Sequence, residues 1–210
     1  MPQELIDFLR KPIVGPELVV RVVNRLERTK LLQRLLNTDP LTGLLNRQKS
    51  SMELTQRLEA SQREHHPFCL ALLDVNGFRF INRRYGHAVG DGVLRYLGQS
   101  LLRGLGPEDV VARWGGEEFV VGIVGRDREP AIAQLSQLLQ HIEQQGMITT
   151  RGEMIHPSCC FGVALATAAT LDLLSLYQAA EQALHDHKVQ GYVVPVTLGE
   201  PIASVNDVRK

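Results

Sequence analysis

The hydrophobic residues fall into short continuous runs, typical of buried strands, and longer stretches with helical spacing. The continuous runs predict five strands, at residues 68–75, 110–114, 118–124, 158–166 and 192–196. Helical spacing predicts longer helices at residues 17–36, 93–103, 130–145 and 173–188, and another that ends at about residue 64. It also predicts a short helical stretch before residue 93. Helices and strands therefore interleave along the chain.

Gly115-Gly116 separates the second and third strand runs. This dipeptide predicts a tight antiparallel hairpin with the two glycines at its centre, because both central positions of a type I′ turn need positive φ. A hairpin among interleaved elements predicts an α/β (α+β) fold. We expect a central, mostly antiparallel five-stranded sheet flanked by helices.

The N-terminal segment differs from the rest. Residues 6–13 read as an extended stretch ended by Pro12, and residues 17–36 read as one long helix. That helix either packs on its own domain or forms a stalk that pairs with a second copy, and its short, broken apolar repeat leaves both open. Lys11-Pro12 also resembles the end of a response-regulator receiver domain. We therefore expect an N-terminal segment, a body and a tail, at residues 1–38, 39–198 and 199–210.

The composition, 44% hydrophobic and 22% charged among 210 residues, is typical of a soluble globular protein. Lys+Arg 23 balance Asp+Glu 23, which argues against nucleic-acid binding through bulk electrostatics. No apolar run approaches the roughly 20 residues that span a bilayer, and the first residues do not form a signal peptide. We expect a cytoplasmic protein without a membrane segment and with reduced core thiols at Cys69, Cys159 and Cys160.

Two adjacent carboxylates, Glu117 and Glu118, directly follow the glycine pair. Their repulsion is costly beside a sheet core unless a cation lies between them. Asp74 closes an apolar strand, where a carboxylate is expensive unless it is paired or metal-bound. Mg²⁺ typically takes one or two protein carboxylates plus substrate phosphates. These acids indicate either metal-dependent phosphoryl chemistry or exposed loop acids without a catalytic role.

Four segments, in this order and spacing, carry a family resemblance: DPLTGLLNR (39–47), DVNGFRFIN (74–82), YGHAVGD (85–91) and GGEEF (115–119). From about residue 39 to residue 191 the chain resembles the GGDEF domains, the diguanylate cyclases. The resemblance implies a palm-like sheet and the condensation of two GTP molecules to cyclic di-GMP, with release of two pyrophosphates. It also implies Mg²⁺ (or Mn²⁺) and a homodimer, since each domain would hold one GTP.

The resemblance implies roles at the acidic end of the site. Asp74, the main-chain carbonyl of Val75 and Glu117 would hold the metal. Either Glu117 or Glu118 would help to deprotonate the attacking 3′-hydroxyl group. Gly115 and Gly116 would lack side chains so that the backbone can approach the phosphates closely.

The resemblance also implies contacts to the nucleotide. Asn82 and Asp91 would bind the guanine edge, with His87 nearby, and each of these has a structural alternative as a turn, cap or hydrogen-bonding residue. Arg79 would face the phosphates, and Lys188 would contact them. Arg113 is a further candidate for the phosphates. No catalytic role is expected for the lone histidines His141, His156, His185 and His187.

The chain departs from the family pattern in its charges. Asn76 stands where a second Asp is usual, Arg79 replaces the usual Lys, Arg83 stands where Asp is usual, and Tyr192 replaces an Arg. The Arg of the Arg-x-x-Asp product-inhibition motif is also missing, because residue 106 is Gly. Two functions therefore remain open for this chain: an active diguanylate cyclase, or a catalytically weak GGDEF domain that binds GTP as a regulatory module. A plain scaffold would have no GTP affinity.

Overall fold

The computed structural model describes residues 15–167, 170, 172–190 and 196–197. Two compact units divide between Asn37 and Thr38. The first contains one helix, α1 (Gly15–Asn37). The second contains, in chain order, α2 (Arg47–Glu64), β1 (Phe68–Val75), α3 (Phe78–Tyr85), α4 (His87–Gly104), β2 (Val110–Gly115), β3 (Glu118–Val124), α5 (Arg128–Gln145), β4 (Met147–Ile148), β5 (Met154–Ile155), β6 (Cys159–Leu165), α6 (Leu173–Gln190) and β7 (Val196–Thr197).

Five strands form one sheet in the order β2-β3-β1-β6-β7. β1 pairs antiparallel with β3 and β6, β2 pairs antiparallel with β3, and β7 joins β6 in parallel. This arrangement confirms the predicted mostly antiparallel five-stranded sheet. β1 lies in the middle, so both of its edges are paired, and all of its side chains except Asp74 are buried. The two-residue strands β4 and β5 form a separate ribbon that the sequence analysis did not predict.

The alternation of side chains along β1 divides the core into two layers. Leu73 and its odd-numbered neighbours pack with α4 and α5 on one face. Leu70 and Leu72 pack with α2 and α6 on the other face. Asp74 has the same parity as Leu72, so it emerges at the end of the face that α6 covers. The alternation along β1 thus determines that the Asp74 carboxylate lies on the side of the sheet covered by α6.

Gly162 lets α6 lie unusually close to that face. A Cβ atom at this position of β6 would overlap backbone atoms of Ala180 and Leu184. α6 therefore packs directly on the strand next to β1, which brings its last turns toward the end of β1.

The hairpin between β2 and β3 differs from the prediction by one residue. Gly115 pairs with Glu118, so the two loop residues are Gly116 and Glu117. Gly116 has φ +52°, whereas Glu117 is not among the residues with positive φ, and this pattern needs glycine only at the first loop position, as in a type II′ turn. The register shift at Trp114 is the cause, because the bulge moves the turn along the chain.

Two further boundaries differ from the prediction. α4 begins at His87, six residues before the predicted start at 93, because Gly90 and Gly92 lie inside the helix rather than in a loop. α5 begins at Arg128, two residues before the predicted 130. Residues 6–13 lie outside the described part of the chain, and so do residues 192–195, which include Tyr192 and all of the predicted last strand except Val196.

The cysteines and the helices bear on two other expectations. Cys69 is buried, Cys159 and Cys160 are half-buried, and all three are free thiols. Burial raises the pKa of Cys69 to about 12, so this thiol stays protonated at neutral pH. Within the described residues, no helix is both long enough and apolar enough to cross a membrane.

Candidate active site

The predicted metal ligands meet at one edge of the sheet. Asp74 lies opposite Glu118 in the β1–β3 pair and opposite Cys160 in the β1–β6 pair. The main-chain N–H of Val75 donates to the carbonyl oxygen of Glu117 at 3.2 Å. The end of β1 and the β2–β3 turn are thus tied directly to each other. Asp74, Val75 and Glu117 therefore share this edge, with Glu118 beside them.

Lys188, on the last turn of α6, forms an ion pair with Asp74. Its Nζ atom lies 2.9 Å from Oδ1 of Asp74, whose side chain is 16% exposed. The close packing of α6 at Gly162 is what brings this lysine to the end of β1. A carboxylate in this position attracts a cation. The predicted phosphate-binding lysine and the predicted metal-binding aspartate are thus adjacent.

Glu118 has a shifted protonation equilibrium. Partial burial and the facing charge of Asp74 raise its pKa, and the charge of Lys188 offsets part of this effect. Glu181 and Glu117 add to the negative potential. A carboxylate with a raised pKa accepts a proton more readily at neutral pH than an ordinary one. Glu118 therefore has the electrostatics of a proton acceptor.

The donor set at this edge fits a hard divalent cation. It consists of two carboxylates, Asp74 and Glu117, and a main-chain carbonyl at Val75, all of them oxygen ligands. In the described part of the chain, no group of three or more His, Cys, Asp or Glu residues is placed to hold a metal by itself. Mg²⁺ commonly takes one or two carboxylates and completes its shell with substrate phosphates and water. The edge therefore suits a metal that arrives with a nucleotide.

Three more predicted site residues, Arg79, Asn82 and His87, line a cavity of about 480 Å³ beside α3 and the start of α4, together with Arg83, for which no site role was predicted. Oδ1 of Asn82 is buried and has no hydrogen-bond partner. Such an atom costs free energy unless a ligand or water donates to it. Gly90 makes room for it, since a Cβ atom there would overlap Oδ1. Asp91 is half-buried and follows Gly90 on α4.

Arg113 binds the turn rather than facing open space. Its Nε and Nη2 atoms donate to the carbonyl oxygen of Gly116 at 3.1 and 2.7 Å, and Nη1 donates to both carboxylate oxygens of Asp39 at 3.2 and 3.1 Å. Burial alone would raise the pKa of Asp39, but hydrogen bonds from Thr42 and the charge of Arg113 lower it. Arg113 thus fixes the loop that carries Glu117, a role that the sequence analysis missed.

A stacked column supports the hairpin from the α6 side. The Trp114 ring lies 5.3 Å from the Tyr177 ring, nearly parallel to it. The Arg47 guanidinium lies 5.0 Å from the Trp114 ring centre. The bulge that shifts the turn is therefore filled by an aromatic ring held between two partners. One sign of this arrangement was present in the sequence, since Arg47 lies in the motif segment 39–47.

The model of the diguanylate cyclase GGDEF domain matches residues 36–192. This chain belongs to the GGDEF family. Diguanylate cyclase DgcP of Pseudomonas aeruginosa is 35% identical over 154 residues, which cover 73% of this chain and 23% of that protein. Cyclic di-GMP phosphodiesterase PdeB of Shewanella oneidensis is 34% identical over 189 residues, which cover 86% of this chain and 21% of that protein.

A solved GGDEF structure has the same fold. The coiled coil and GGDEF domain of DgcB from Caulobacter crescentus, in complex with c-di-GMP, matches with a TM-score of 0.78 and 23% identity, covering 87% of this chain and 96% of that chain. The present chain spans about half or less of the length of the curated relatives it matches. The family and the fold are therefore shown.

Asn76, which stands where Asp is usual in GGDEF domains, is engaged by β6. Its Nδ2 atom donates to the Ser158 hydroxyl oxygen at 3.0 Å, and the Cys160 thiol donates to its Oδ1 atom at 2.7 Å. Burial raises the pKa of Cys160, so the thiol keeps the proton that it donates. Asn76 thus anchors the end of β1 to β6 instead of adding a charge at the metal ligands.

Asp109 is the acid of the GGDEF product-inhibition motif, and here it has structural partners. Its carboxylate accepts hydrogen bonds from the main-chain N–H groups of Gly106 and Val124, at 2.8 and 3.1 Å. Arg126 lies 3.2 Å away, and the Asp109 side chain is 2% exposed. These contacts join the loop before β2 to the end of β3.

Proposed function

We propose that this GGDEF domain is a diguanylate cyclase, which condenses two GTP molecules to cyclic di-GMP and two pyrophosphates with the help of Mg²⁺ or Mn²⁺. The observation that carries the proposal is the shared sheet edge of Asp74, Val75 and Glu117. α3 leads from this edge to the cavity that contains the unpaired oxygen of Asn82. A metal edge and a base cavity on one helix suit a nucleoside triphosphate.

Asp74, Glu117 and the carbonyl of Val75 would hold the metal, which supplies positive charge to the α-phosphate and the departing pyrophosphate. The 3′-hydroxyl oxygen of one GTP forms a bond to the α-phosphorus of the other, and the bond to the β-phosphate oxygen breaks. The hydroxyl proton passes to Glu117 or Glu118. The raised pKa of Glu118 supports its place in this proton transfer.

The chain's remaining polar residues would position the nucleotide. Asn82 and Asp91 offer acceptors to guanine, with His87 at the cavity wall. Arg79 and Lys188 offer positive charge to the phosphates, and Lys188 would leave Asp74 for them. Gly115 and Gly116 leave the turn without side chains. Arg113 holds the turn in place, and we infer a positioning role for it in place of the direct phosphate contact.

Two copies are needed, because one domain holds one GTP. We propose that α1 brings them together as a homodimer in the cytoplasm. Along α1, a row of exposed apolar side chains supports this proposal: Leu18, Val19, Val22, Val23 and Leu26. An exposed apolar helix face of this kind usually meets a partner. The partners of the domain are then GTP, a second copy and its product, with no role for nucleic acid.

A catalytically weak, GTP-binding regulatory module is the second candidate. Arg79 and Arg83 both line the base cavity, where the family pattern has one Lys and one Asp. The extra positive charge favours nucleotide binding without adding a catalytic group. The similarity to the phosphodiesterase PdeB also fits a GGDEF domain that serves in another kind of protein.

Incubation of the purified chain with GTP and Mg²⁺ tests the proposal by the appearance of cyclic di-GMP. Glu117→Ala should lower the rate by on the order of 10²-fold or more, because it removes a metal ligand and a proton acceptor. Glu64→Ala, an exposed change at the end of α2, is the matched control and should retain the wild-type rate. Bound GTP without product at high protein concentration would favour the regulatory module instead.

A further inference from the structure

Two arginines lie one helical turn apart on the same face of α3. Arg79, Asn82 and Arg83 have the spacing i, i+3 and i+4, and all three line the same cavity with His87. Like charges at i and i+4 repel each other. Among the described residues that line this cavity, none is acidic. The pair therefore favours a ligand that presents acceptor atoms along the whole face.

The two arginines face different parts of such a ligand. α3 begins three residues after the end of β1, so Arg79 lies near the metal edge. Arg83 lies one turn farther along the helix, about 6 Å by the helical rise. Asn82, with its buried and unpaired Oδ1, lies beside Arg83 in sequence. A triphosphate at the metal edge thus places Arg79 near phosphate and Arg83 near the base.

The hydrogen-bonding groups of guanine complete the argument. Asn82 Oδ1 is a buried acceptor in this cavity, so it suits a donor group of guanine, the N1–H or the 2-amino group. The O6 and N7 atoms of guanine are acceptors and need donors. A planar guanidinium binds O6 and N7 together, which is the commonest specific contact to guanine. Adenine presents an amino group in place of O6 and would repel it.

We propose that Arg83 is a specificity-determining residue that donates hydrogen bonds to O6 and N7 of the bound guanine. This inference rests on the proposed function, because it takes GTP as the ligand of the cavity. It assigns Arg83 a base contact and leaves phosphate to Arg79 and Lys188. The adjacent Arg84 provides a control, because it does not line the cavity. Its guanidinium lies 5.4 Å from the centre of the Tyr85 ring instead.

The test measures the affinity of three 2′,3′-dideoxynucleoside triphosphates, which lack the attacking hydroxyl and so cannot react. Dideoxy-GTP has every guanine contact, the 7-deaza form lacks N7, and dideoxy-ITP lacks the 2-amino group. Titration calorimetry with Mg²⁺ gives the dissociation constants for the wild type, Arg83→Ala, Arg83→Lys and the control Arg84→Ala. Thermal unfolding checks that each variant is folded.

The wild type and Arg84→Ala should bind dideoxy-GTP about tenfold more tightly than its 7-deaza form, because one charged hydrogen bond is lost. Arg83→Ala should bind both nearly equally, and Arg83→Lys should fall between. The preference over dideoxy-ITP should persist in Arg83→Ala, because it depends on the acceptor atom of Asn82.

A 7-deaza penalty that persists in folded Arg83→Ala would overturn the inference and leave the proposed function standing. So would equal binding of the two nucleotides by the wild type. Failure of the wild type to bind any of the three would overturn both the inference and the GTP-binding function on which it rests.

Discussion

Lys188 and Asp74 form the closest charge pair at the sheet edge, yet the pair contributes little to folding. The Lys188 side chain is 42% exposed, and ion pairs of such exposure are worth about 0–1 kcal/mol. The lysine can therefore exchange Asp74 for phosphate at small cost. Its position, provided by the close approach of α6 at Gly162, matters more for the ligand than for the fold.

Lys188→Met should raise the KM for GTP about tenfold, because a phosphate contact is lost. With Mg²⁺ present to balance the charge of the mostly buried Asp74, it should change the melting temperature by less than about 3 °C. Lys49→Met is the matched control, since Lys49 forms a similar pair with Glu53 on α2, away from the sheet edge. It should change neither quantity. A large fall in melting temperature with an unchanged KM would assign Lys188 a structural role.

Glu118→Gln should stabilise the fold at pH 7. Its raised folded-state pKa means that the native state disfavours the ionised form, so the ionised carboxylate destabilises the fold above that pKa. Below both the folded and the unfolded pKa the carboxyl group is neutral in each state, and Gln then makes little difference. Melting temperatures from pH 4 to pH 8 should therefore show a gain that grows with pH. A gain that is constant over this range would contradict the electrostatic cause.

At the scale of elements, the packing of α3 against α4 determines the shape of the base cavity. Gly90 on α4 faces Oδ1 of Asn82 on α3 at a distance that no side chain could share. Gly92, two residues later on the same helix, faces only the terminal methyl group of Met147, which lies 3.2 Å from where a Cβ atom would be. The two glycines thus serve different purposes in one helix.

Gly90→Ala should displace Asn82 and weaken GTP binding about tenfold, because the hydrogen bond from guanine to Oδ1 is lost or bent. Gly92→Ala should leave affinity unchanged and should raise stability by about 0.4–1 kcal/mol, since alanine restricts the unfolded chain and Met147 can move aside. Calorimetry and thermal unfolding measure both effects. Equal affinities of the two variants would contradict the role of Gly90.

Asp109 connects two elements of the hairpin and is not available to a ligand. Asp109→Ala should lower the free energy of unfolding by about 2–3 kcal/mol, because it leaves two main-chain N–H groups and Arg126 without their acceptor. If the wild-type chain is active as proposed, cyclic di-GMP should not inhibit it through this site. Denaturant unfolding and initial rates with added product test these statements. A steep fall in wild-type rate at low product concentration that is lost in Asp109→Ala would refute the second statement.

Elements determined by interactions between residues close in sequence were predicted well, and those determined by contacts between distant residues were not. The apolar run of β1 and the carboxylate at its end are local patterns, and both were predicted correctly. The start of α4 was missed because Gly86, Gly90 and Gly92 read as loop residues, although Gly90 is required by contact with α3. Glycine in a helix is explained by its neighbour in space, which the sequence does not show.

Longer-range contacts were the least predictable part of the site. The centre of the hairpin was placed one residue too early because the bulge at Trp114 depends on packing against Tyr177 and Arg47. Arg113 was expected near phosphate, yet its side chain joins Asp39, 74 residues away in sequence, to the turn. The positive charge of Arg113 indicated that it binds an anion, but only the fold showed that this anion is the Asp39 carboxylate.

At the scale of the whole molecule, the proposed reaction needs two copies of the domain. The exposed apolar row on α1 includes Val19 and Val23, which are one helical turn apart. Such a row stabilises a helix pair by removing apolar surface from water. The rate per chain should then depend on the protein concentration below the dissociation constant of the dimer.

The double variant Val19→Lys, Val23→Lys should be a monomer, because lysines buried in a helix pair oppose association. Its rate per chain should be lower by at least about tenfold at low protein concentration. Glu27→Lys, also exposed on α1, is the control for added charge. Light scattering gives the oligomeric state, and the concentration dependence of the rate gives the order in protein. A fully active monomer would contradict the dimeric mechanism.

The central position of β1 in the sheet determines the order in which parts of the site unfold on heating. Amide hydrogens of a strand that is paired on both edges and covered on both faces exchange with solvent mainly through global opening. Asp74 is carried by that slowest-exchanging strand, whereas Glu117 lies in a two-residue turn at the surface. On gentle heating, the turn should therefore open before β1 does and move Glu117 away from Asp74, which separates the two proposed metal ligands. Activity should begin to fall before the protection of β1 does.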